Sequence, residues 1–412
     1  MRSRVVITGI GVVSPNGTGC DAFAEACLAG RSGLTRPDPD LAKSLKTSAV
    51  GAVRGFDPRS CLDAVDARRV PRMVPLALTA SREALSSAGW TPSADDLEAR
   101  RAIGVALGTG GGGLAFVEEQ YRAYFLGGTP SLFSITAGTH GNLSSELSIL
   151  LGLRGPSHVI STGCTSSTDA IGYAAMLVRT GVARMMLAGG ADAPISPGIL
   201  SAFEKMRVVS TRRWDQPGQS SRPFSGDRDG FVLGEGAWMF VLEDAAHAAA
   251  RGAPALAEVA GYASTCDAYH RVQIAPDVGE PVRAMRLAML EAGVEPARIG
   301  YVNLHGTGTQ LNDKLETAAV RKALGRHADA IPMSSTKSMI GHPQGACGAA
   351  GLAATVLCLR RHQAHPTINV ATPDPDCDLD YVAEAARRCA PEYALCNCIA
   401  FGSKNSALVI RM

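Results

Sequence analysis

Short apolar runs alternate along this chain with stretches of helical periodicity. Val5–Ile10, Arg101–Leu107 and Arg184–Ala188 are apolar runs of strand length, each followed by glycine within a few residues. Cys20–Leu28 and Pro71–Ala88 carry small apolar residues at the spacing of a helix. Because strands that alternate with helices are typical of layered α/β folds, the pattern predicts that class.

The later part of the chain repeats the order of the earlier part. Gly230–Glu243 predicts a glycine turn followed by a strand, and Phe401–Arg411 has the same pattern. A helix of small residues precedes each turn, after Cys164 in the first case and at Gly345–Leu359 in the second. This repetition predicts two pseudo-symmetric α/β halves. The two predicted units are residues 1–255 and residues 256–412.

Composition and charge exclude several classes of protein. The 412 residues are 46% hydrophobic and 19% charged, an ordinary globular balance, and the formal charge of +2 is too small for a dedicated nucleic-acid binder. No apolar stretch approaches the roughly 20 residues of a membrane helix, and no signal-peptide pattern follows the N-terminus. The 11 cysteines show neither zinc spacing nor a disulfide framework, which predicts reduced thiols in the cytoplasm.

Cys164 is the first candidate for chemistry. The run His158–Ile160 predicts a strand, and the Ser/Thr/Gly residues that follow predict a tight turn into a helix. Unpaired N–H groups and the helix dipole at a helix start favour a thiolate, the nucleophilic form of cysteine. The competing interpretation is a buried cysteine that behaves as a small hydrophobe.

The second half supplies groups that would complement a nucleophile. His305 follows a predicted strand on a glycine loop, and Lys337 and His342 share a Ser/Gly-rich loop. If an acyl group is held on Cys164, two neutral imidazoles donating through Nε2 would stabilise negative charge as it develops on oxygen. The set predicts a nucleophile with convergent electropositive groups.

Other uses of these residues fit less well. A metal site is not predicted, since the two histidines lie on separate glycine loops without a carboxylate at helix spacing, and a zinc-bound thiolate would be a poor nucleophile. A cysteine-protease dyad would leave Lys337 and His342 without a role. Gly108–Gly113 lacks the lysine and hydroxyl of a phosphate loop and no helix is predicted directly after it, so we assign it to close packing or a pocket wall.

Over essentially its full length the chain resembles the β-ketoacyl-acyl carrier protein synthases of the thiolase superfamily. The resemblance implies the thiolase fold, with two halves in a five-layered α-β-α-β-α arrangement. It implies no bound cofactor, and acyl substrates delivered on the phosphopantetheine of acyl carrier protein. The matching stretches are Val5–Gly11, Gly152–Ser157, Gly163–Ser166, Ser221–Gly236, Asp267–His270, His305–Thr309, Ser334–His342 and Phe401–Gly402.

The resemblance also implies catalytic roles. Cys164 would carry the acyl chain as a thioester, with the N–H groups of Cys164 and Phe401 as the oxyanion hole and Phe401 as a gate. His305 and His342 would stabilise the enolate formed when malonyl-carrier protein loses carbon dioxide. Lys337 would organise the histidine loop. The implied activity is an acyltransferase that performs decarboxylative Claisen condensation.

Further positions follow from the same resemblance. Thr307 and Thr309 would hydrogen-bond pantetheine, and Gly111 would lengthen or widen the acyl tunnel where fatty-acid enzymes tend to carry a bulky residue. Exposed arginines near the expected carrier-protein surface would contact that acidic partner, although ordinary solvated arginines are an equal interpretation. These arginines are Arg68, Arg69, Arg72 and Arg207.

Three departures from the family pattern favour a type II polyketide enzyme over a housekeeping fatty-acid enzyme. They are Gly111, the Ser403-Lys404 pair after Phe401, and Gly351 at the position of a glutamate that supports the lysine. With Cys164 present, the chain resembles the catalytic partner of a heterodimer with a chain-length factor; a homodimer is the alternative. The polar segment Ser134–Leu151 is the predicted partner contact. A non-catalytic partner subunit is the competing class.

Overall fold

The computed structural model describes residues 3–43, 45–93 and 95–412. No helix within these ranges combines the length and apolar character needed to cross a bilayer. The strands are β1 (Val5–Ser14), β2 (Gly17–Thr18), β3 (Val50–Gly51), β4 (Ile103–Gly108), β5 (Ser157–Ile160), β6 (Met185–Asp192), β7 (Leu233–Gly234), β8 (Gly236–Asp244), β9 (Ala257–Cys266), β10 (Ile299–Asn303), β11 (Met333–Ser334), β12 (Gln363–Ala364), β13 (Arg387–Arg388), β14 (Tyr393–Ala400) and β15 (Lys404–Arg411). The helices are α1 (Cys20–Leu28), α2 (Pro39–Ala42), α3 (Met73–Ser87), α4 (Leu97–Arg101), α5 (Leu114–Phe125), α6 (Ser134–Gly138), α7 (Asn142–Leu151), α8 (Ser166–Arg179), α9 (Pro197–Lys205), α10 (Ala245–Ala250), α11 (Gly279–Ala292), α12 (Gln310–Leu324), α13 (Lys337–Ile340) and α14 (Cys347–Leu359).

The large sheet contains two sets of five strands with the same internal order. Counted outward from the centre, the first set is β1, β8, β6, β4 and β5, and the second set is β9, β15, β14, β10 and β11. In each set the first two pairings are antiparallel and the last two are parallel. The predicted pseudo-symmetry is therefore present in strand order and strand direction.

The two sets meet where β1 pairs with β9. The contact is short, with Val6 opposite Glu258 and Ile7 opposite Ala257. Glycines in β1 let α3 pack directly on the sheet, because a Cβ at Gly11 would lie 1.9 Å from the carbonyl oxygen of Ala80. The division into units 1–255 and 256–412 stays a prediction, since the strands of both parts belong to one hydrogen-bonded sheet.

Helices form three layers around the two strand sets. α3 covers β1, β8 and β6 on one outer face, and α11 covers β9, β15 and β14 on the other. α8 and α14 contact each other and contact strands of both sets, which places them between the sets. The layers are therefore helix, strand, helix, strand, helix, and the predicted five-layered thiolase fold is confirmed.

Some element boundaries differ from the sequence prediction. α8 begins at Ser166, and Cys164 lies two residues earlier, in the 3-10 turn Gly163–Thr165. A helix, α5, does begin directly after the glycines at 108–113, contrary to expectation. β6 continues through Gly189 and Gly190 to Asp192, because glycine is tolerated where neighbouring backbone approaches closely.

The segment predicted as a polar partner contact exposes apolar side chains. Ile135 and Ile149 are 76% and 74% exposed, and Leu132 just before the segment is 88% exposed. α5 adds Tyr124 and Phe125 to the same part of the chain. The polar residues that suggested a specific contact are thus accompanied by a larger apolar surface.

Candidate active site

Cys164 stands between the last strand of the first set and the first middle-layer helix. β5 ends at Ile160, and the chain turns through Gly163, whose φ of 69° favours glycine, into the 3-10 turn that carries Cys164. The Cys164 side chain is buried and lines a cavity. Its thiol can therefore be reached from the cavity while the surrounding elements hold it in place.

His305 lies on a loop that the following helix holds rigid. The loop follows β10, and Glu316 of α12 accepts the N–H groups of His305 and Gly306, both at 2.7 Å. Asp313, one turn earlier in α12, accepts the N–H groups of Thr307 and Gly308. Two carboxylates one helical turn apart thus hold four successive backbone donors of the His-Gly-Thr-Gly loop.

Lys337 extends from α13 to the back of the His305 ring. Its Nζ atom donates to the carbonyl oxygen of His305 at 2.5 Å and lies 3.4 Å from the Nδ1 atom. With Nδ1 facing Lys337, the proton of a neutral His305 ring is on Nε2 and the ring presents a donor to the cavity. The contact agrees with the organising role expected of Lys337.

His342 completes the group from the loop between α13 and α14. Its backbone N–H donates to Val232 at 2.7 Å, and its ring meets the His305 ring edge-on with centroids 5.4 Å apart. One ring nitrogen of each histidine and the Cys164 sulfur all lie within 4.8 Å of one another. The structure therefore brings together the four residues that the sequence singled out as catalytic.

Burial dominates the electrostatics of these groups. Desolvation, with the Lys337 charge as the second cause, lowers the pKa of His305 to about 3, and desolvation also lowers the pKa of His342. Desolvation raises the pKa of Cys164 even though Lys337 and the Phe401 N–H oppose this effect. The inference that the helix start favours a thiolate is therefore not supported: burial favours the thiol form of Cys164 and the neutral form of both imidazoles.

The cavity wall includes most of the positions predicted to bind substrate. Thr307, Thr309 and Phe401 line it together with Cys164, and the two threonine hydroxyls are 3.0 Å apart. Gly111 is not among the lining residues in the described part of the chain. A Cβ at Gly111 would face Asp192 and Pro194. The structure thus does not bring Gly111 to the Cys164 cavity, and its effect on the acyl tunnel stays a prediction.

The chain after Phe401 is tied to a neighbouring turn. Ser403 has φ of 64°, in the left-handed region, and its hydroxyl donates to His270 O at 2.9 Å. The backbone N–H groups of Tyr269 and His270 donate back to that hydroxyl. The departure at Ser403 therefore supplies hydrogen bonds that anchor the chain just after Phe401 and Gly402.

The orientation of Lys337 does not depend on a glutamate at position 351. A Cβ at Gly351 would lie 2.3 Å from Asn303 Oδ1, so the Asn303 side chain occupies the space that a side chain at position 351 would need. Glu316 instead accepts from the His305 loop and from Asn397 Nδ2, and burial raises the pKa of Glu316 to about 7. The sequence analysis did not single out Glu316, because nothing in its 11-residue separation from His305 reveals the contact.

Asp192 is a structural residue of the site that the sequence analysis missed. Its buried carboxylate accepts the N–H groups of Gly110 and Gly111 at 2.8 and 2.9 Å, and that of Gly345 at 2.7 Å. The glycine-rich segment therefore does bind an anion, but the anion is an internal carboxylate. An aspartate directly after an apolar strand, in a chain with a polyglycine loop, was the available signal.

Two further cysteines missed by the sequence analysis lie behind the nucleophile. Cys347 begins α14 and Cys398 lies in β14, and each Sγ atom is 3.2 Å from the carbonyl oxygen of Cys164. Both also face His305 Nδ1. The expectation of no metal site considered neither of these thiols, because nothing in their spacing connects them with His305.

Of the four arginines predicted to meet the carrier protein, two form ion pairs within the chain and the other two line separate cavities. Arg72 binds the buried Glu235 at 2.8 Å, and Arg69 pairs with Asp66 at 3.3 Å. Arg68 lines a separate cavity with Arg72 and Gly112. Arg207 lines another cavity with Lys46 and Glu204, and the next residue, Val208, lines the Cys164 cavity. Carrier-protein contact stays a prediction for all four.

A buried thiol faced by two imidazoles, on a duplicated five-layered scaffold, is typical of thiolase-fold acyltransferases. Family models agree with this class: the model described as beta-ketoacyl synthase, N-terminal domain, matches residues 2–248, and the model of the C-terminal domain matches residues 256–371. The chain belongs to the beta-ketoacyl synthase family. The predicted family and the predicted acyltransferase class are confirmed.

Relatives with two kinds of name, acyl-carrier-protein synthase and polyketide synthase, are similar to this chain over its full length. A 3-oxoacyl-[acyl-carrier-protein] synthase 2 of Synechocystis is 39% identical over 100% of this chain and 98% of its own. A protein of Streptomyces rimosus named as an oxytetracycline polyketide beta-ketoacyl synthase 1 is 41% identical over 99% of this chain and 96% of its own.

Solved structures with the same fold include complexes. A ketosynthase complex with its acyl-carrier protein, described as type II PKS, matches with a TM-score of 0.91 and 32% identity, covering 100% of this chain and 99% of the other. The ishigamide ketosynthase/chain length factor matches with a TM-score of 0.90 and 32% identity, covering both chains fully.

Proposed function

We propose that this chain is the catalytic ketosynthase of a type II polyketide synthase. It extends an acyl chain held on Cys164 by decarboxylative condensation with a malonyl group on acyl carrier protein. The observation that carries the proposal is the convergence of the Cys164 sulfur and the two histidine rings within 4.8 Å at one cavity. Housekeeping fatty-acid elongation is the second candidate, because a full-length relative at 39% identity carries that type of name.

The first step transfers the acyl group to the enzyme. Cys164 Sγ attacks the thioester carbonyl of the incoming acyl-pantetheine. The backbone N–H groups of Cys164 and Phe401 donate hydrogen bonds to the carbonyl oxygen and stabilise the negative charge that develops on it. The bond to the pantetheine sulfur breaks, and the Cys164 proton ends on that sulfur by way of a neutral imidazole. Because Cys164 begins as a thiol, this proton transfer is part of the step rather than a preliminary ionisation.

The second step forms the new carbon–carbon bond. The malonyl group loses carbon dioxide, and the electron pair of the broken bond moves into an enolate whose oxygen accepts N–H donors from His305 and His342. The enolate carbon attacks the acyl carbonyl on Cys164, and the carbon–sulfur bond breaks. The Cys164 sulfur leaves with the electron pair of that bond and takes up one proton from solvent, which restores the thiol. The two imidazoles are neutral donors in a dry site, so they stabilise charge that appears only in the reaction.

The carrier arm has a defined place in this scheme. Thr307 and Thr309 present hydroxyls on the wall of the Cys164 cavity, where the amides of a pantetheine chain need hydrogen-bond partners. Arg207 next to this wall would meet the acidic carrier protein, and Arg68, Arg69 and Arg72 would extend that contact. The substrates thus arrive covalently bound to a carrier, and we place the reaction in the cytoplasm, where reduced thiols are stable.

A partner subunit would cover the apolar surface of α5 to α7. Phe125, Ile135 and Ile149 are each more than 70% exposed, which is costly for a chain that acts alone. Similarity to a ketosynthase/chain length factor complex favours a heterodimer with such a factor over a homodimer. An active homodimer of the chain expressed alone would contradict this choice.

Intact-mass measurement of the acylated enzyme tests the proposal. The full chain is incubated with an acyl-carrier protein, and one acyl adduct is expected on the peptide that contains Cys164. Cys164→Ala is expected to lose the adduct, whereas Cys358→Ala, which changes another buried thiol of the middle layer, is expected to keep it. An adduct that persists in Cys164→Ala would contradict the proposal and would favour a non-catalytic partner subunit.

Polyketide and fatty-acid elongation are separated by the product. The chain, co-purified with its partner subunit, is supplied with malonyl-carrier protein and no reductases. Release of a poly-β-keto product several extensions long supports the polyketide assignment. A single extension of a saturated acyl-carrier protein, with no further growth, would support the fatty-acid alternative.

A further inference from the structure

The thiols of Cys347 and Cys398 form a compact donor set with His305. The two Sγ atoms are 3.7 Å apart, and His305 Nδ1 is 3.4 Å from Cys398 Sγ and 4.0 Å from Cys347 Sγ. The three residues come from α14, β14 and the loop after β10, and all are buried. The proposed reaction uses the opposite side of the His305 ring and assigns no role to either thiol.

These separations match those between ligands of one tetrahedral cation. Zinc binds thiolate sulfur at about 2.3 Å and imidazole nitrogen at about 2.0–2.1 Å. At tetrahedral angles those bond lengths place two sulfurs about 3.8 Å apart and a sulfur and a nitrogen about 3.6 Å apart. The three observed distances lie within about 0.4 Å of these values, so little movement is needed to admit a cation.

A fourth ligand is present at the same place. The carbonyl oxygen of Cys164 is 3.2 Å from Cys347 Sγ and 3.2 Å from Cys398 Sγ. It is equally far from both sulfurs and is therefore a candidate for the fourth position of a tetrahedral cation. Together, two sulfurs, one imidazole nitrogen and one oxygen make a closed and predominantly soft donor set, which selects zinc-like cations over magnesium or calcium.

The local charges are compatible with a divalent cation. Two thiolates would neutralise it, and binding would release the thiol protons to solvent. Lys337 Nζ already donates to the carbonyl oxygen of His305 at 2.5 Å, so its contact with Nδ1 can be given up. The free Nδ1 lone pair would bind the cation, and the ring proton would stay on Nε2.

We propose that Cys347, Cys398 and Nδ1 of His305 form a binding site for a thiophilic divalent cation such as Zn²⁺. The site lies directly behind the nucleophile, since both sulfurs contact the carbonyl oxygen of Cys164. Cys164, His305 and His342 form a competing donor set, but it offers one sulfur where this set offers two. The proposal concerns binding and does not depend on the reaction that the cavity performs.

Titration with Co²⁺ alone tests the site without an activity measurement. The reduced full chain is expected to bind one Co²⁺ per chain, with sulfur-to-cobalt charge-transfer absorption that Zn²⁺ displaces. Cys347→Ala and Cys398→Ser are each expected to weaken binding by at least about 10–100-fold, since even outer-shell changes cost this much. Cys396→Ser is the matched control, because Cys396 lies on the same strand and its sulfur contacts Thr355 Oγ1.

The variants separate the two donor sets. Cys164→Ala is expected to retain the charge-transfer band, because only the backbone oxygen of that residue takes part. Absence of a band in the unmodified chain, or equal binding by Cys398→Ser and Cys396→Ser, would overturn the proposal. Loss of the band in Cys164→Ala with retention in Cys398→Ser would assign the cation to the competing set. If Cys347→Ala does not fold by circular dichroism, Cys398→Ser decides the outcome.

Discussion

The two halves of the molecule carry different chemistry at equivalent places. In each half the outermost strand, β5 or β11, leads through a loop into a middle-layer helix, α8 or α14. The first-half loop, residues 161–165, is short and presents Cys164. The second-half loop, residues 335–346, is longer and contains α13, which brings Lys337 and His342 to the same cavity. The two equivalent loops thus differ in length, and the shorter one carries the thiol while the longer one carries the lysine and one histidine.

A position near the start of a middle-layer helix does not by itself distinguish the nucleophilic cysteine. Both middle-layer helices have a cysteine near their first residue, Cys164 before α8 and Cys347 at the start of α14. Only Cys164 is among the residues that line the cavity in the described part of the chain. Burial raises the pKa of Cys164 despite its position, so access to the cavity distinguishes this thiol from Cys347 more than the helix dipole does.

Removing a donor of the second-half loop should give the largest effect. His342→Ala is expected to reduce decarboxylation of malonyl-carrier protein by about 10²–10³-fold, because one of two enolate donors is lost. Acylation of Cys164, read by intact mass, should persist at a reduced rate. His327→Gln, a half-buried histidine bound to Ile299 O, is the control. If acylation and decarboxylation fell by the same factor, the two loops would not have separate roles in the two steps.

Neutralising Asp192 should loosen the connection between the two halves. Asp192→Asn replaces a buried acceptor of backbone N–H groups from both parts with an amide, and we expect the free energy of unfolding to fall by about 3 kcal/mol. Urea denaturation measures this change. Asp215→Asn, an exposed aspartate paired with Arg36 at 3.3 Å, is the control and should change stability little. A loss no larger than that control would contradict the role assigned to Asp192.

The ionisation of Cys164 can be measured by alkylation. Since its pKa is raised, the rate of modification by iodoacetamide should increase about tenfold per pH unit from about pH 6 to about pH 9, as the thiolate fraction grows. Lys337→Met should slow the reaction across this range, because the Lys337 charge stabilises the thiolate. Peptide mass spectrometry follows Cys164 separately from the other thiols. A rate that levels off near pH 7 would restore the interpretation of a resting thiolate.

Substitution of Ser403, whose hydroxyl joins the chain after Phe401 to residues 269 and 270, should have the smallest effect on stability. Ser403→Gly removes the hydroxyl that joins the loop to residues 269 and 270 but relieves a positive φ, so the free energy of unfolding should change by less than about 1 kcal/mol. Amide exchange at Phe401 and Gly402 should nevertheless become faster. Ser403→Ala removes the hydroxyl without the backbone relief and should be the less stable of the two. Unchanged exchange in both variants would contradict the anchoring role.

Periodicity alone was sufficient for much of the scaffold. α1 spans Cys20–Leu28 as predicted, because its apolar spacing and the glycines around it are local signals. The repeated order of turn, strand and helix also foretold the pseudo-symmetric strand sets. The thiol, the histidines and the lysine were recognisable because each lies in a distinctive short motif.

Contacts between distant parts of the chain were not predictable in the same way. Cys398 is 234 residues from Cys164, and Asp192 is 153 residues from Gly345, so neither pair leaves a pattern in a local window. The pKa of Cys164 depends on how completely other elements exclude water from it. Gly351 carried a misleading signal, since its small size reflects the approach of Asn303 and not the state of Lys337.

The hydrogen bonds that Asp192 makes to both halves of the chain have a consequence for a protein whose backbone has been cut between them. The connection between α10 and β9 is exposed at Pro254 and Ala255, and a protease could cut it there. The resulting fragments would still share β1 with β9 and both middle-layer helices, and pulling them apart would leave a carboxylate without its Gly345 partner in an apolar interior. We therefore expect the cut polypeptides to remain associated, and separately produced fragments to reassemble only as a pair.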